Sequence, residues 1–541
     1  MEVELILLVL SLLFFASIFS DRIGNKYGVP ALLLFLAVGM VFGPDGFGKW
    51  LREDGVGFIS NISIDGAQAI GTVALCVILF SGGMDTKLSD IRPVMKQGVI
   101  LATIGVLLTA LIAGTLIYFI FGWINALASV GFAVALLMAS TMSSTDSASV
   151  FSILRTNGVG LKHNLRPLLE LESGANDPMA YVLTVTLIGV VTATTKQVTG
   201  LSILQEIVIQ LIMGAVIGFG FGKGAIALMR KVRLSNESLY PIMILTFCIF
   251  IFAVTHYFKG NSYLAVYMGG LMIGNSKFTR KRQTKSFFDG LTWLSQLLMF
   301  LMLGLMVKPH ELFNWQVWLP CLIISIVMIF IARPLSVFIC LAPFKEFRGN
   351  DKALVSWVGL KGAVPIIFAI LCMSHHVPHA NLIFNVVFAC TLVSLLVQGT
   401  TLSKMAESLH LSMPSKEEKR LLHFDMDLPE EIESSATEKA VTAEMLANGN
   451  RLMDMQIPRQ TLVIMVRRNE EFFVPTGSSE LQEGDQLLVI ADKDAEAAKK
   501  LQDEEDAVEL KDWSLQLLNN TTTFVRDNWR KLVNGEKRIK K

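Results

Sequence analysis

Thirteen charge-poor apolar runs follow one another between residues 1 and 404, and they decide most of what this chain can fold into. A helix needs about 20 apolar residues to cross the hydrocarbon core of a bilayer. Inside that core every backbone N–H and C=O must be paired within the protein, which leaves helices as the solution for runs of this length. The expected fold class is an α-helical polytopic membrane protein. Its runs fall near residues 2–20, 28–43, 66–83, 97–121, 128–154, 165–194, 199–229, 238–257, 262–276, 288–307, 316–342, 353–374 and 380–404. Only 17% of the residues are charged, against about 25% in soluble domains. The first run follows Glu2 and Glu4 and lacks both the basic start and the cleavage site of a signal peptide, so it reads as a retained helix. Cys76, Cys248, Cys321, Cys340, Cys372 and Cys390 all lie inside apolar runs, with no close pair along the sequence. They read as small core residues, and neither a disulfide nor a metal site is expected.

The loops supply the orientation. Those on one side hold nineteen Lys and Arg, from Arg22 and Lys26 through Lys345, Arg348 and Lys352; those on the other hold Lys49, Arg52, Lys196, Lys259 and Lys308. By the positive-inside rule the N-terminus lies outside and the C-terminus in the cytoplasm. Spans five and twelve look interrupted. Residues 139–149, Ala-Ser-Thr-Met-Ser-Ser-Thr-Asp-Ser-Ala-Ser, surround Asp146 with hydroxyls that compete for backbone hydrogen bonds. Gly359-Leu-Lys-Gly-Ala-Val-Pro365 places two glycines, Lys361 and a proline at matching depth. Interrupted spans at corresponding places in two halves point to an inverted-repeat transporter whose site lies where they cross. The halves are spans one to six and eight to thirteen.

The sixth span holds the chemistry. Glu172 and Asp177 sit in Leu-Glu-Ser-Gly-Ala-Asn-Asp-Pro-Met-Ala-Tyr, residues 171–181, at the head of an apolar run. A charge at that depth costs roughly 3 kcal/mol even on lenient insertion scales, so an acid there reads as functional. Helical spacing stacks Glu172 on Asn176 and Ser173 on Asp177. Pro178 lacks an N–H and frees a carbonyl one turn earlier. Asp177, Asp146, Ser173 and the Thr145 carbonyl offer oxygens to a monovalent cation. Arg333, well within span eleven, needs a counter-ion, for which Glu172 is the best candidate. Lys361 either meets carbonyls freed in span twelve or lies at the membrane surface. His375, His376 and His379 read as a solvated loop. Gly214, Gly218, Gly220, Gly222 and Gly224 make a small-residue stripe suited to helix packing or a dimer face. Gly218 and Gly220 follow no strand, so no nucleotide loop is implied, and no nucleic-acid partner is expected.

Beyond residue 404 the composition turns polar. Residues 405–444 read as a cytoplasmic linker and 445–495 as a small α/β module, with strands at Thr461–Arg467, Glu471–Pro475 and Gly484–Ala491. The tail, 496–541, ends basic and stays unassigned.

Glu172-Ser-Gly-Ala-Asn-Asp-Pro178, together with Thr145-Asp146, Arg333 and Gly359-Leu-Lys-Gly-Ala-Val364, resembles the NhaP branch of the monovalent cation/proton antiporters, a group that includes the animal sodium/proton exchangers. The resemblance covers residues 1–404 and implies thirteen helices, an NhaA-like inverted repeat with two discontinuous crossing helices, a six-helix mobile domain, and a dimer domain that makes a homodimer. It implies Asp177 and Asp146 as cation ligands, Ser173 and Thr145 as further oxygens, and Glu172, Asn176 and Arg333 as the residues holding the helices together. Lys361 stands where the family usually has arginine. Residues 445–492 are similar to the TrkA-C (RCK C-terminal) module, a regulator of potassium transport proteins whose ligand the sequence does not name. Both together resemble bacterial potassium/proton antiporters of the inner membrane, with no cofactor and with lipid as the surrounding partner. Burial disfavours a bare carboxylate, so proton and cation would compete for Asp177. With Asn176 neutral and Glu172 paired, one cation would exchange for one proton without net charge. The alternatives are a sodium or lithium/proton antiporter, or, from another class, a cation channel or ion sensor controlled by the module. An intramembrane aspartyl protease lacks its Tyr-Asp and Gly-x-Gly-Asp contexts here.

Overall fold

The computed structural model describes residues 8–19, 30–46, 63–123, 130–192, 200–414 and 436–491, less a few single positions and short gaps within them. The start of the first span, the loops bearing Arg22, Lys26, Lys49, Arg52 and Lys196, most of the linker and the tail lie outside the described residues. The chain divides into two compact units, Met1–Ser415 and Lys416–Lys541.

The first unit is helical. Its main helices are α1 (Leu10–Phe19), α2 (Ala31–Phe42), α3 (Ile64–Asp85), α4 (Leu88–Trp123), α5 (Phe132–Thr141), α6 (Ser147–Thr156), α7 (Leu165–Thr192), α8 (Gly200–Lys231), α9 (Leu239–Tyr257), α10 (Ser262–Gly274), α11 (Lys281–Met306), α12 (Val317–Leu341), α13 (Gly349–Trp357), α14 (Val364–Ser374) and α15 (Ala380–Ser408). Among the described residues eight are long and apolar enough to cross a membrane, and α1, α2, α5, α10 and α14 are shorter apolar helices. Local sequence starts them: Ser63 caps α3 by accepting from the Gly66 N–H at 3.1 Å, and Asn261 caps α10 by accepting from Leu264 at 3.1 Å. Leu201, Leu204, Val208, Ile212 and Val216 of α8 stay exposed, as suits a surface whose solvent is lipid. Small residues let backbones touch where helices cross. Gly39 of α2 lies on Gly304 of α11, and Gly218 of α8 on Ala265 of α10.

Two pairs of helices are separated by unwound backbone. The chain is unwound over residues 142–146 between α5 and α6, and over residues 358–363 between α13 and α14. The unwound stretches cross where the Asp146 N–H donates to the Leu360 carbonyl at 2.8 Å. Gly362 makes the crossing possible, since a Cβ there would run into the Asp146 side chain. A π-helical turn, Met328–Ala332, directly precedes Arg333, and another, Leu395–Gly399, lies beside the second break. At one end of the unit, β1 (Val159–Leu161) pairs antiparallel with β2 (Ser412–Pro414).

The glycine stripe divides by face. Gly214, Gly218 and Gly222 are spent on contact within the chain, against α10 and the Asn261 turn that opens it, while Gly220 and Gly224 face open space. Cysteines far apart in sequence do meet: Cys76 and Cys248 place their Sγ atoms 3.4 Å apart, both buried and free, because α3 packs on α9. Sequence distance hid that pair.

The second unit contains, among its described residues, four strands in the order β3-β6-β4-β5, all antiparallel: β3 (Ala436–Ala440), β4 (Thr461–Arg468), β5 (Glu471–Phe473) and β6 (Gln486–Ala491). Val441, Val466, Leu481, Leu487 and Val489 form its core. Arg468 grips Asp485 through two hydrogen bonds of 2.8 and 2.6 Å. β3 falls in the stretch read as linker, because Ala-Thr-Glu-Lys-Ala is a polar edge strand without the alternation that marks a buried one.

Candidate functional site

Glu172, Ser173, Asn176 and Asp177 of α7 are all buried. Positions i, i+1, i+4 and i+5 share one helical face, and that face meets the unwound stretch 142–146. Unwinding leaves polar groups that need partners, and α7 supplies them. Ser173 Oγ donates to the Thr145 carbonyl at 2.8 Å and accepts from the Ser147 N–H at 3.0 Å. Asn176 Nδ2 donates to Thr145 Oγ1 at 2.5 Å. The Ser144 hydroxyl donates to Asp177 Oδ1.

Asp146 caps α6, accepting from the Ser149 N–H at 3.1 Å and from the Ser149 hydroxyl. The two aspartates thus turn to different serines. Lys361 is buried rather than at a surface, and its Nζ donates to the Ser144 carbonyl at 2.9 Å. The carbonyl it meets belongs to the other unwound stretch. Three further hydrogen bonds brace the second break. The Lys361 N–H donates to Ser394 Oγ at 2.9 Å, Ser394 donates to Gln398 Oε1 at 2.6 Å, and Gln398 Nε2 donates to the Trp357 carbonyl at 2.8 Å.

Arg333 and Glu172 form a buried pair, Nη1 to Oε1 at 2.6 Å. The arginine lies on Gly359, where a Cβ would press its side chain at about 3.0 Å. One residue past Asp177, the Pro178 carbonyl accepts from Asn261 Nδ2 at 2.7 Å, which ties α7 to the start of α10.

All eight sequence-derived residues therefore gather around the crossing: Asp177, Asp146, Ser173, Thr145, Asn176 and Lys361 at the unwound stretches, Glu172 and Arg333 beside them. Ser144, Asn261, Ser394 and Gln398 belong to the same network and were not singled out by sequence. Ser144 lies in a hydroxyl run where nothing in the sequence separates it from its neighbours. Asn176 Oδ1 is buried without a hydrogen-bond partner. It adds an oxygen to those of Asp177, Ser144 and Thr145, a set of hard ligands of the kind that replaces an alkali ion's hydration shell. No group of three or more His, Cys, Asp or Glu suited to a resident metal occurs among the described residues.

The profile of the sodium/hydrogen exchanger transmembrane family matches residues 9–408, and that of the TrkA-C domain matches residues 446–502. The K(+)/H(+) antiporter NhaP of Alkalimonas amylolytica is 37% identical over 495 residues, covering 90% of this chain and 81% of that protein. The K(+)/H(+) antiporter NhaP2 of Shewanella sp. strain MR-4 is 35% identical over 499 residues, 91% of this chain and 82% of that protein. The Na(+)/H(+) antiporter NhaH of Halobacillus aidingensis is 27% identical over 328 residues, 58% of this chain and 76% of its own. Among solved structures, the sodium proton antiporter MjNhaP1 of Methanocaldococcus jannaschii shares the fold, with a TM-score of 0.62 at 23% identity over 76% of this chain and 99% of that one.

Proposed function

The chain belongs to the sodium/hydrogen exchanger family, and on that premise we propose that it exchanges potassium for protons across a bacterial inner membrane, by alternating access to the Asp177 carboxylate. The observation that carries this reading is the crossing itself: Asp177 is buried beside the place where two broken helices meet, and its carboxylate accepts from the Ser144 hydroxyl. Burial makes a bare carboxylate costly, so Asp177 takes either a proton or a cation, and each displaces the other. In this proposal Asp177, Asp146, Ser173 and Thr145 surround the ion, Asn176 joins them through its unpartnered oxygen, and Glu172, Arg333 and Lys361 hold the frame. Potassium is favoured because the potassium/proton antiporters named above match nine-tenths of the chain, whereas the sodium/proton relative matches little more than half.

The same reading completes the architecture. Pairing α5 with α6 and α13 with α14 as single transits gives thirteen, with the N-terminus outside, the TrkA-C module in the cytoplasm and two halves related as an inverted repeat. The exposed faces of α8 are the surface offered to a second copy in a homodimer. No cofactor takes part, and export of potassium draws on the proton gradient.

Everted vesicles with an acid interior and a pH-sensitive dye test the proposal. Potassium should raise the internal pH in wild type and not in Asp177→Asn vesicles carrying equal amounts of protein. Response to sodium or lithium alone would keep the site and change the cation; equal fluxes in wild type and variant would sink the site.

A further inference from the structure

The strand through which the chain leaves the membrane unit is stitched to the connection between the two site helices. Strand β2 pairs with β1 in the register Val159↔Pro414, Gly160↔Met413, Leu161↔Ser412, and β1 lies in the short segment that joins α6 to α7. At one end of that stretch Asp146 caps α6, and at the other α7 carries Asp177. The stitching extends beyond the strands. Lys162 N–H donates to the Leu411 carbonyl at 3.1 Å and Lys162 Nζ to the His410 carbonyl at 3.2 Å. Asn157 Nδ2 donates to Ser403 Oγ at 2.9 Å.

The same connection also reaches the second broken transit. His163 Nδ1 lies 2.9 Å from Asp351 Oδ1, and Asp351, in the first turn of α13, accepts from the Arg348 N–H at 2.8 Å. Asn350, beside it, donates from Nδ2 to the Leu409 carbonyl at 3.3 Å. His163 and Asn164 both have left-handed backbone, with φ of 56° and 54°. A loop in that conformation for two successive non-glycine residues persists only when its surroundings hold it. Here those surroundings are the end of α15, β2 and the start of α13.

Resting on the antiporter reading, we infer that β2 is the control strand of this transporter. Lys162, His163 and Asn157 are positioning residues that pass its placement to both broken helices. The mechanical reason is order along the chain. Any force that the 436–491 module exerts on the membrane unit through the covalent chain arrives first at Pro414, and β2 is clamped to the lever that joins the Asp146 helix to the Asp177 helix. A shift of β2 relative to β1 would move the free ends of α6 and α13 together, while their other ends meet at the crossing.

The test uses the full chain in proteoliposomes. Arg468→Gln breaks the Arg468–Asp485 grip inside the module, far in sequence from the clasp. It is expected to shift potassium half-saturation about fivefold or more, the low end of ordinary coupling between sites. Gly160→Cys with Met413→Cys then allows the clasp to be locked by oxidation and released by reduction. The Arg468→Gln shift should vanish in the oxidised pair and return on reduction. Lys162→Gln, which keeps the stem and the backbone pairing but loses the ammonium, serves as a second variant if the cysteine pair does not assemble; it should reduce the shift. Persistence of the full shift in the locked clasp, and in Lys162→Gln, would overturn the inference. So would an Arg468→Gln protein with unchanged half-saturation, which leaves the clasp no signal to carry. Failure of the antiporter reading looks different: no potassium-dependent proton flux separates wild type from Asp177→Asn before any clasp variant is made.

Discussion

Arg333 and Glu172 are each almost wholly removed from solvent and meet at 2.6 Å. Breaking such a pair from one side strands a charge, at a cost of about 3–5 kcal/mol, whereas replacing both partners with apolar groups is often neutral. Arg333→Ala should therefore lower the melting temperature in detergent far more than it changes potassium half-saturation. Arg333→Met with Glu172→Leu should recover much of the loss, and a double variant as unstable as the sum of the singles would show that the two do not act together. Ser144 offers the converse case. Its hydroxyl is the donor on Asp177, so Ser144→Ala should alter apparent potassium affinity several-fold in vesicle assays while lowering the unfolding free energy by no more than about 1–3 kcal/mol. A large loss of stability with unchanged affinity would assign Ser144 to the frame. Sequence made the acids, the arginine and the lysine legible, because a charge in an apolar run demands a partner. It picked Thr145 from the hydroxyl run and passed over Ser144, since only the path of the unwound backbone decides which hydroxyl reaches Asp177.

Elements were legible for a related reason: glycine, proline and clustered hydroxyls weaken a helix wherever they fall, so both breaks show in the sequence before the fold is known. The partners of each break did not show. Ser394 and Gln398 look like ordinary polar residues of α15 until Lys361 and Trp357 are placed beside them. Glycines that look alike also part company once packed. On α8, a Cβ at Gly218 would strike the backbone at Ala265, while one at Gly220 meets nothing. Gly218→Ala should destabilise the protein. Gly220→Ala should be neutral or stabilising by up to about 1 kcal/mol, from helix propensity alone; thermal melts of the two in one detergent decide, and equal effects would refute the packing assignment. In the second unit, burial pushes the carboxyl of Asp485 up, but hydrogen bonds from Arg468 and the Gln482 N–H outweigh it, so the group sits below the usual carboxylate range. A depressed folded value contributes stability above the unfolded value of about 3.9 and loses it as pH falls through the folded one. Hydrogen exchange along β6 in the full chain should show that acid-side loss in wild type and a weaker pH dependence in Arg468→Gln.

At the scale of the whole molecule the question is what crosses the membrane when the site moves. In the proposed mechanism, counted as formal charges, Glu172 cancels Arg333 and Lys361 offsets one of the two aspartates, Asp146 and Asp177, so that the load on Asp177 sets the sum. With a proton or a potassium ion on Asp177 the buried set is neutral; empty, it carries one uncompensated negative charge. An unpaired buried charge costs several kcal/mol, so under this proposal the empty site would resist passage and both loaded forms would pass without carrying net charge. If one charge did move per cycle, 100 mV would be worth about 2.3 kcal/mol, roughly a 50-fold change in the potassium ratio that balances a fixed pH gradient. The expected ratio is unchanged when the membrane potential is clamped at different values, measured in proteoliposomes by dye and by potassium content. Lys361→Gln removes the cancellation: proton-loaded and potassium-loaded forms would then both carry a negative charge, and exchange should slow by more than tenfold, as about 1.4 kcal/mol or more is added to the barrier. Wild-type speed in that variant would mean that Asp146 travels protonated. With Asp146 neutral and the lysine gone, the charge balance of the variant would rest on Asp177, Glu172 and Arg333 alone.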